Sequence, residues 1–275
     1  MASSPERTLA APRRRLLTVS ANESLGAYRV LRVADPDGPL PDPGQFAMLA
    51  AQQRWGGGAD ERPYLARAFS VARVQRGEAH YLLEDVGPGT RRLCELGVGD
   101  GVWALGPLGS GFAAPHGDRR ALLVGGGVGI APLAILQDTL DAVGFVCTVM
   151  LGFRDGAHAA GAALLSGASV ATDDGSVGHR GLVTELLAAE LQRDRHAVVY
   201  ACGPAPMLEA IRALCAERRV PAQLALEAGM ACGFGACYGC VVPTSGGGYL
   251  RVCIDGPVLD AAQLDHVDAH AGAHA

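Results

Sequence analysis

Between Leu16 and Phe112 the apolar positions come in short runs, TVSANES, AYRVLRV, FAMLAA, FSVARV and HYLLEDV, broken by Gly and Pro turns. Runs of that length, rich in Val, Leu, Phe and Tyr and bounded by turn residues, predict strands, and a series of them predicts an antiparallel barrel. From Arg120 to Leu226 the rhythm changes. Apolar segments ALLVG, FVCTVML, ASVAT, AVVYAC and AQLALE alternate with the helical stretches APLAILQDTLDAV, LVTELLAAELQ and PMLEAIRALCAERR. Strands that alternate with helices predict a doubly wound parallel sheet. After Glu227 the chain is rich in Gly and Cys and loses this rhythm, which predicts a small unit organised by something other than a large apolar core. The expected architecture is multidomain β + α/β: a barrel over 1–113, an α/β domain over 114–226 and a small C-terminal domain over 227–275.

At 275 residues the chain suits two or three units of this size. All 23 basic residues are Arg, so a Schiff-base or P-loop lysine is excluded, and any phosphate must be held by Arg, backbone N–H groups and hydroxyls. A net charge of −5 without a clustered basic face argues against a nucleic-acid partner. The N-terminal stretch carries Arg13, Arg14 and Arg15 but no apolar run that would make a signal peptide or a membrane span, so a cytoplasmic location and no membrane are expected. The tail DHVDAHAGAHA is expected to be solvated despite its histidines.

The most specific local pattern is Cys232-x4-Cys237-x2-Cys240, with Cys253 after twelve further residues. A plant-type [2Fe–2S] cluster needs four thiolates on two irons, and this spacing wraps three of them around one side of the cluster. Gly229, Gly233, Gly235 and Gly239 lie among the ligands, where positive φ would bring N–H groups up to the sulfurs. A structural zinc site is the competing reading, although zinc sites usually pair two C-x2-C elements. Cys94, Cys147 and Cys215 stand singly in apolar segments and are expected to be small buried hydrophobes.

Three further segments suit a nucleotide or flavin. Gly125-Gly126-Gly127-Val128-Gly129-Ile130-Ala131-Pro132 follows a strand and opens a helix, where glycines allow close approach of a diphosphate and the first N–H groups are unpaired. Tyr200-Ala201-Cys202-Gly203-Pro204 is a second strand-to-helix turn, and two such loops outline a ligand crevice at the sheet's C-terminal edge. In the barrel, Arg67-Ala68-Phe69-Ser70 offers a guanidinium, a ring and a hydroxyl. Leu82, Leu83 and Glu84 then lead to the Gly87-Pro88-Gly89-Thr90 turn, whose N–H groups and Thr90 hydroxyl are available to a diphosphate.

In this order the segments resemble the ferredoxin reductase-like flavoproteins, through an R-x-[YF]-S strand, a G-x-G-T turn, a GGG-x-G loop and a C-G-P loop. With LEAGMACGFGACYGCVVP and RVCIDGPVLDA the resemblance narrows to the electron transfer subunits of two-subunit, NAD-dependent dihydroorotate dehydrogenases, from about Arg15 to Ala262. The resemblance implies FAD and a [2Fe–2S] cluster as cofactors and NAD as substrate. It also implies an FMN-containing catalytic subunit as partner, in a hetero-oligomer of heterotetramer type. In that relay the partner oxidises dihydroorotate, and electrons cross the cluster and FAD to NAD⁺. The implied roles are cluster ligation by Cys232, Cys237, Cys240 and Cys253; FAD binding by Arg67 to Ser70, Leu82 to Glu84, Gly89 and Thr90; and nucleotide binding by Gly126, Gly127, Val128, Gly129, Gly203 and Pro204. Cys202 is implied to face the nicotinamide. Phe69 replaces a common tyrosine, and Glu84 stands where a basic residue is often found. NAD is expected over NADP, with Asp173 and Asp174 repelling a 2′-phosphate and Arg154 the residue that could attract one. Transhydrogenase and sulfhydrogenase flavin subunits share this domain order and remain alternatives, as does a zinc-stabilised nucleotide-binding module.

Overall fold

The computed structural model describes residues 13–56 and 63–267; His270 and His274 of the tail lie outside them. Strands β1 (Arg14–Leu25), β2 (Tyr28–Ala34), β3 (Phe46–Ala51), β4 (Arg67–Gln75), β5 (Glu78–Glu84) and β6 (Gly101–Leu108) close an antiparallel barrel in the order β1-β2-β5-β4-β3-β6. Closure leaves no free edge, and the buried positions of β6 alternate, with Val102 and Ala104 in the barrel core and Leu108 in the core shared with the other parts. The run FAMLAA does not alternate, because both faces of β3 are covered. Ala47, Leu49 and Ala51 point into the barrel, while Phe46 and Met48 join a second core that also holds Cys240 and Cys253. Helix α1 (Pro88–Cys94) follows β5.

The α/β part has β7 (Arg120–Gly126), β8 (Cys147–Phe153), β9 (Ser169–Thr172), β10 (His179–Arg180), β11 (Ala197–Cys202) and β12 (Ala222–Ala225), all parallel in the order β10-β9-β8-β7-β11-β12. The expected five strands are all present, and β10 is an addition too short and polar to be read as a strand. Helices α2 (Ala131–Ala142), α3 (Gly156–Ala159), α4 (Val183–Arg193) and α5 (Ala205–Arg218) make the crossovers. Every residue of β11 is buried, which explains its unbroken apolar run AVVYAC. The chain leaves β7 in one direction for β8 to β10 and returns on the other side for β11 and β12, so the switch point lies between β7 and β11.

The C-terminal part holds β13 (Val241–Pro243), β14 (Tyr249–Arg251) and β15 (Val258–Asp260). The hairpin β13-β14 stands alone, but β15 pairs antiparallel with β12 and becomes the seventh strand of the large sheet. The loss of rhythm after Glu227 therefore conceals a strand that belongs to the neighbouring sheet. One core runs through all three parts, from Phe46 and Leu108 through Val199 and Leu224 to Val242 and Val252. On the other side α2 packs on β4, with Arg73 Nε 2.5 Å from Asp138 Oδ2. No helix among the described residues is long and apolar enough to cross a membrane.

Candidate functional site

The four cysteines of the C-terminal unit come together as two pairs. Cys240 and Cys253 are buried, with their sulfurs 3.2 Å apart. Cys232 and Cys237 form the outer pair, near enough for the Cys237 thiol to lower that of Cys232, and Cys237 is exposed. Backbone N–H groups reach these sulfurs: Gly239 N–H donates to Cys237 at 3.5 Å and Cys253 N–H to Cys240 at 3.5 Å. Burial alone would raise the Cys232 thiol, but N–H groups of Phe234, Cys237 and Ala236, with the Cys237 thiol, outweigh it and bring it down to about 7. That loop favours thiolate. Among the described residues no three His, Cys, Asp or Glu donors close on one ion. Two thiol pairs, one inner and one outer, suit two irons bridged by sulfide better than a single tetrahedral zinc, so the residues fit a [2Fe–2S] cluster.

The glycines of this loop divide differently from expectation. Gly233 (φ 76°) and Gly235 (φ 84°) are left-handed, whereas Gly229 and Gly239 are not, and Tyr238 takes φ 57° instead. Gly233 has a second reason to be glycine. A Cβ there would stand 2.6 Å from Met48 Cγ, so the cluster loop lies directly against barrel strand β3.

On the barrel, Arg67 opens β4 and its guanidinium rests on the start of α1: a Cβ at Gly89 would meet Arg67 Nε at 2.7 Å. The R-x-F-S strand and the G-x-G-T turn therefore share one place. The Thr90 hydroxyl is not available there, contrary to expectation. It accepts from the N–H groups of Val86 (2.9 Å) and Gly87 (3.0 Å) and donates to Gly87 O, which leaves Arg67 and backbone N–H groups for a diphosphate. Phe69 and Ser70 are half-buried and Ala68 is exposed, while Leu82 and Leu83 are packed in core.

At the switch point the two glycine loops touch. A Cβ on Gly129 would lie 2.6 Å from the carbonyl carbon and oxygen of Cys202, and one on Gly203 would lie 3.0 Å from Gly126 N. Beside them a cavity of roughly 650 Å³ is lined by Gly126, Gly127, Val128, Gly203 and Pro204, by Tyr28 and Glu84 of the barrel, and by Phe153, Arg154, His158, Asp173 and Glu227. Cys202 is not in that lining. Burial first, then the charge of Glu227, push its thiol well above the ordinary range, so it is a neutral group behind the loop and no nucleophile. Glu227 carries no signal of its own in the sequence, yet it stands two residues beyond β12, at the sheet edge where ligands bind. It is open to solvent at the cavity wall and still crowded enough by protein to raise its carboxyl. Glu84 pairs with Arg154, so the carboxylate at this unusual position has a cation from the other domain.

Comparison with known proteins agrees with this geometry. The chain is 26% identical to a solved chain described in work on flavin-based electron bifurcation by the NADH-dependent reduced ferredoxin-NADP oxidoreductase, with a TM-score of 0.76 over 92% of this chain and 90% of that one. The ferredoxin reductase of carbazole 1,9a-dioxygenase shares the fold, with a TM-score of 0.66 at 22% identity over 77% of this chain and 68% of the other. Barrel, switch-point cavity and thiol pairs thus define a ferredoxin reductase-like flavin oxidoreductase with an added iron–sulfur unit. Residues 227–265 match the iron-sulfur cluster binding domain of dihydroorotate dehydrogenase B. The dihydroorotate dehydrogenase B (NAD(+)) electron transfer subunit of Geobacillus kaustophilus is 41% identical over 82% of this chain and 87% of its own length, and an electron transfer subunit homolog from Aquifex aeolicus is 36% identical over 86% and 92%. The chain belongs to the family of dihydroorotate dehydrogenase B electron transfer subunits.

Proposed function

We propose that this chain carries electrons between an FMN-bearing catalytic subunit that oxidises dihydroorotate and NAD⁺, using a [2Fe–2S] cluster and FAD, as one half of a heterotetramer. The single observation that carries the reading is the contact of Gly233 with Met48, which sets the thiol loop on the barrel strand paired with β4, with Met48 opposite Ala68. When bound, the flavin exchanges hydride with the nicotinamide and single electrons with the iron–sulfur centre.

The roles of the chain's own residues follow from their places. Arg67 and the N–H groups of the Gly89 turn hold the flavin diphosphate, with Phe69 against its ring. Gly126 to Gly129, Gly203 and Pro204 shape the dinucleotide site and keep backbone donors close to its diphosphate. Glu227, its carboxyl raised above the usual carboxylate range by the protein packed around it, stands at the cavity wall beside the dinucleotide site. The outer thiol pair, with Phe234 and Tyr238 exposed around it, is the face a partner approaches. The units 1–113, 114–226 and 227–275 divide these tasks.

Co-purification with the catalytic subunit tests the reading. The isolated chain should reduce ferricyanide from NADH and leave dihydroorotate untouched, and the pair should show dihydroorotate:NAD⁺ activity that neither chain has alone. Turnover of dihydroorotate by the single chain would refute it. Recovery of a ferredoxin-dependent or hydrogenase partner instead would move the assignment to another complex.

A further inference from the structure

The nucleotide cavity holds one arginine, and a carboxylate of the other domain already occupies it. The chain has no Lys, and among the described residues lining the cavity Arg154 is the one Arg. It follows β8 directly, at the end of the strand after the glycine loop and its helix. In doubly wound nucleotide domains that strand end meets the adenosine ribose, where a carboxylate accepts from the 2′-hydroxyl of NAD and an arginine receives the 2′-phosphate of NADP. Arg154 is reachable, with 60% of its side chain exposed, but its Nη2 donates to Oε1 of Glu84, the last residue of β5. The same Glu84 oxygen lies 3.3 Å from His158 Nε2, and His158 Nδ1 is 2.7 Å from Asp155. On the adjacent strand end, Asp173 also lines the cavity, its N–H donating to Phe153 O at 3.0 Å.

We propose that Glu84 sets the preference for NAD(H) over NADP(H) by occupying Arg154. The proposal rests on the reading of this cavity as the dinucleotide site. A 2′-phosphate would have to take the guanidinium from Glu84 and would leave a largely enclosed carboxylate, with Asp173, facing a doubly charged group. A 2′-hydroxyl meets no such penalty, because it can donate to a carboxylate. The selecting residue thus comes from the barrel and not from the nucleotide-binding fold itself.

The test compares 5′-AMP with 2′,5′-ADP, which differ only in the 2′-phosphate, by calorimetry on the full chain at matched flavin content. Glu84→Gln should raise 2′,5′-ADP affinity about tenfold, the weight of one charge-assisted hydrogen bond at a partly exposed site, and change 5′-AMP less than about twofold. The NADPH/NADH ratio of kcat/KM with ferricyanide should shift in the same direction, and adding Arg154→Gln should cancel both gains. Equal effects on the two ligands, or none, overturn the proposal. If Glu84→Gln does not fold, Arg154→Gln alone decides: it should alter 2′,5′-ADP binding less than about twofold, and a loss of about fivefold or more means Arg154 already serves the phosphate. Wild-type protein that binds neither adenine nucleotide nor NADH overturns the dinucleotide reading beneath the proposal.

Discussion

Gly129→Ala probes the contact between the two glycine loops most directly. Gly129 does not need glycine for its φ, since it is not among the left-handed residues; it needs glycine for space. The added Cβ would sit 2.6 Å from three backbone atoms, the carbon and oxygen of Cys202 and the Cα of Gly203. None can rotate away, so the loops must part by roughly 0.8 Å to restore ordinary contact. Overpacking at a rigid site costs about 2–3 kcal/mol, which for a chain of this size lowers Tm by roughly 4–10 °C. The parted loops should also weaken NADH, with KM for the ferricyanide reaction rising about tenfold, since a sub-ångström displacement of aligned donors is enough to lose a diphosphate contact. Gly127→Ala is the control. Its Cβ meets only Tyr28 Oη at 4.0 Å, but φ is +55°, so backbone strain of about 1 kcal/mol should appear with little effect on neighbouring loops. Flavin and iron content should be unchanged in both. A Gly129→Ala protein with wild-type Tm and wild-type KM would refute the packing argument.

Cys237→Ser removes a thiol of the exposed pair, and iron, sulfide and the broad visible absorbance should be lost while flavin stays; a full iron content would exclude Cys237 as a ligand. It should also abolish activity with the catalytic subunit and spare most of the NADH-to-dye reaction. His80 on β5 should make the fold acid-sensitive. Burial, with the charges of Arg32 and Arg73, holds its imidazole below 6.5 against the pull of Glu78. The unfolded chain therefore takes up the proton more readily than the fold, so this contribution is complete above about pH 6.5 and is lost as pH falls through that value. Tm should drop more steeply between about pH 7.5 and pH 5.5 in wild type than in His80→Gln, and parallel slopes would remove His80 as the cause.

Much of this is legible in the sequence, because local rules carry it. The barrel runs of β1 to β5, the unbroken run of β11 and the helical stretches of α2, α4 and α5 follow from which faces must be buried, and those faces are written in residue order, whereas β6 carries no run that the sequence set apart. The cysteine spacing is likewise local, since three of the four cysteines lie within one loop. Thr90 shows where local reading stops. Its hydroxyl looked free in the sequence, but the turn that places it also uses it.

What the amino-acid order determined by itself was element type, the strand-to-helix loops and the spacing of the four C-terminal cysteines, all of which depend on neighbours a few residues apart. What tertiary structure alone decided was which distant segments meet. It brought Gly129 onto Cys202, Met48 onto Gly233, and β15 onto β12 across the apparent domain limit. It turned Cys202 inward and exposed Glu227 to the cavity, and it joined Glu84 to Arg154, 70 residues away. Such pairs leave no periodic trace in a single sequence, because the energy of a contact depends on separation in space and the sequence records separation along the chain.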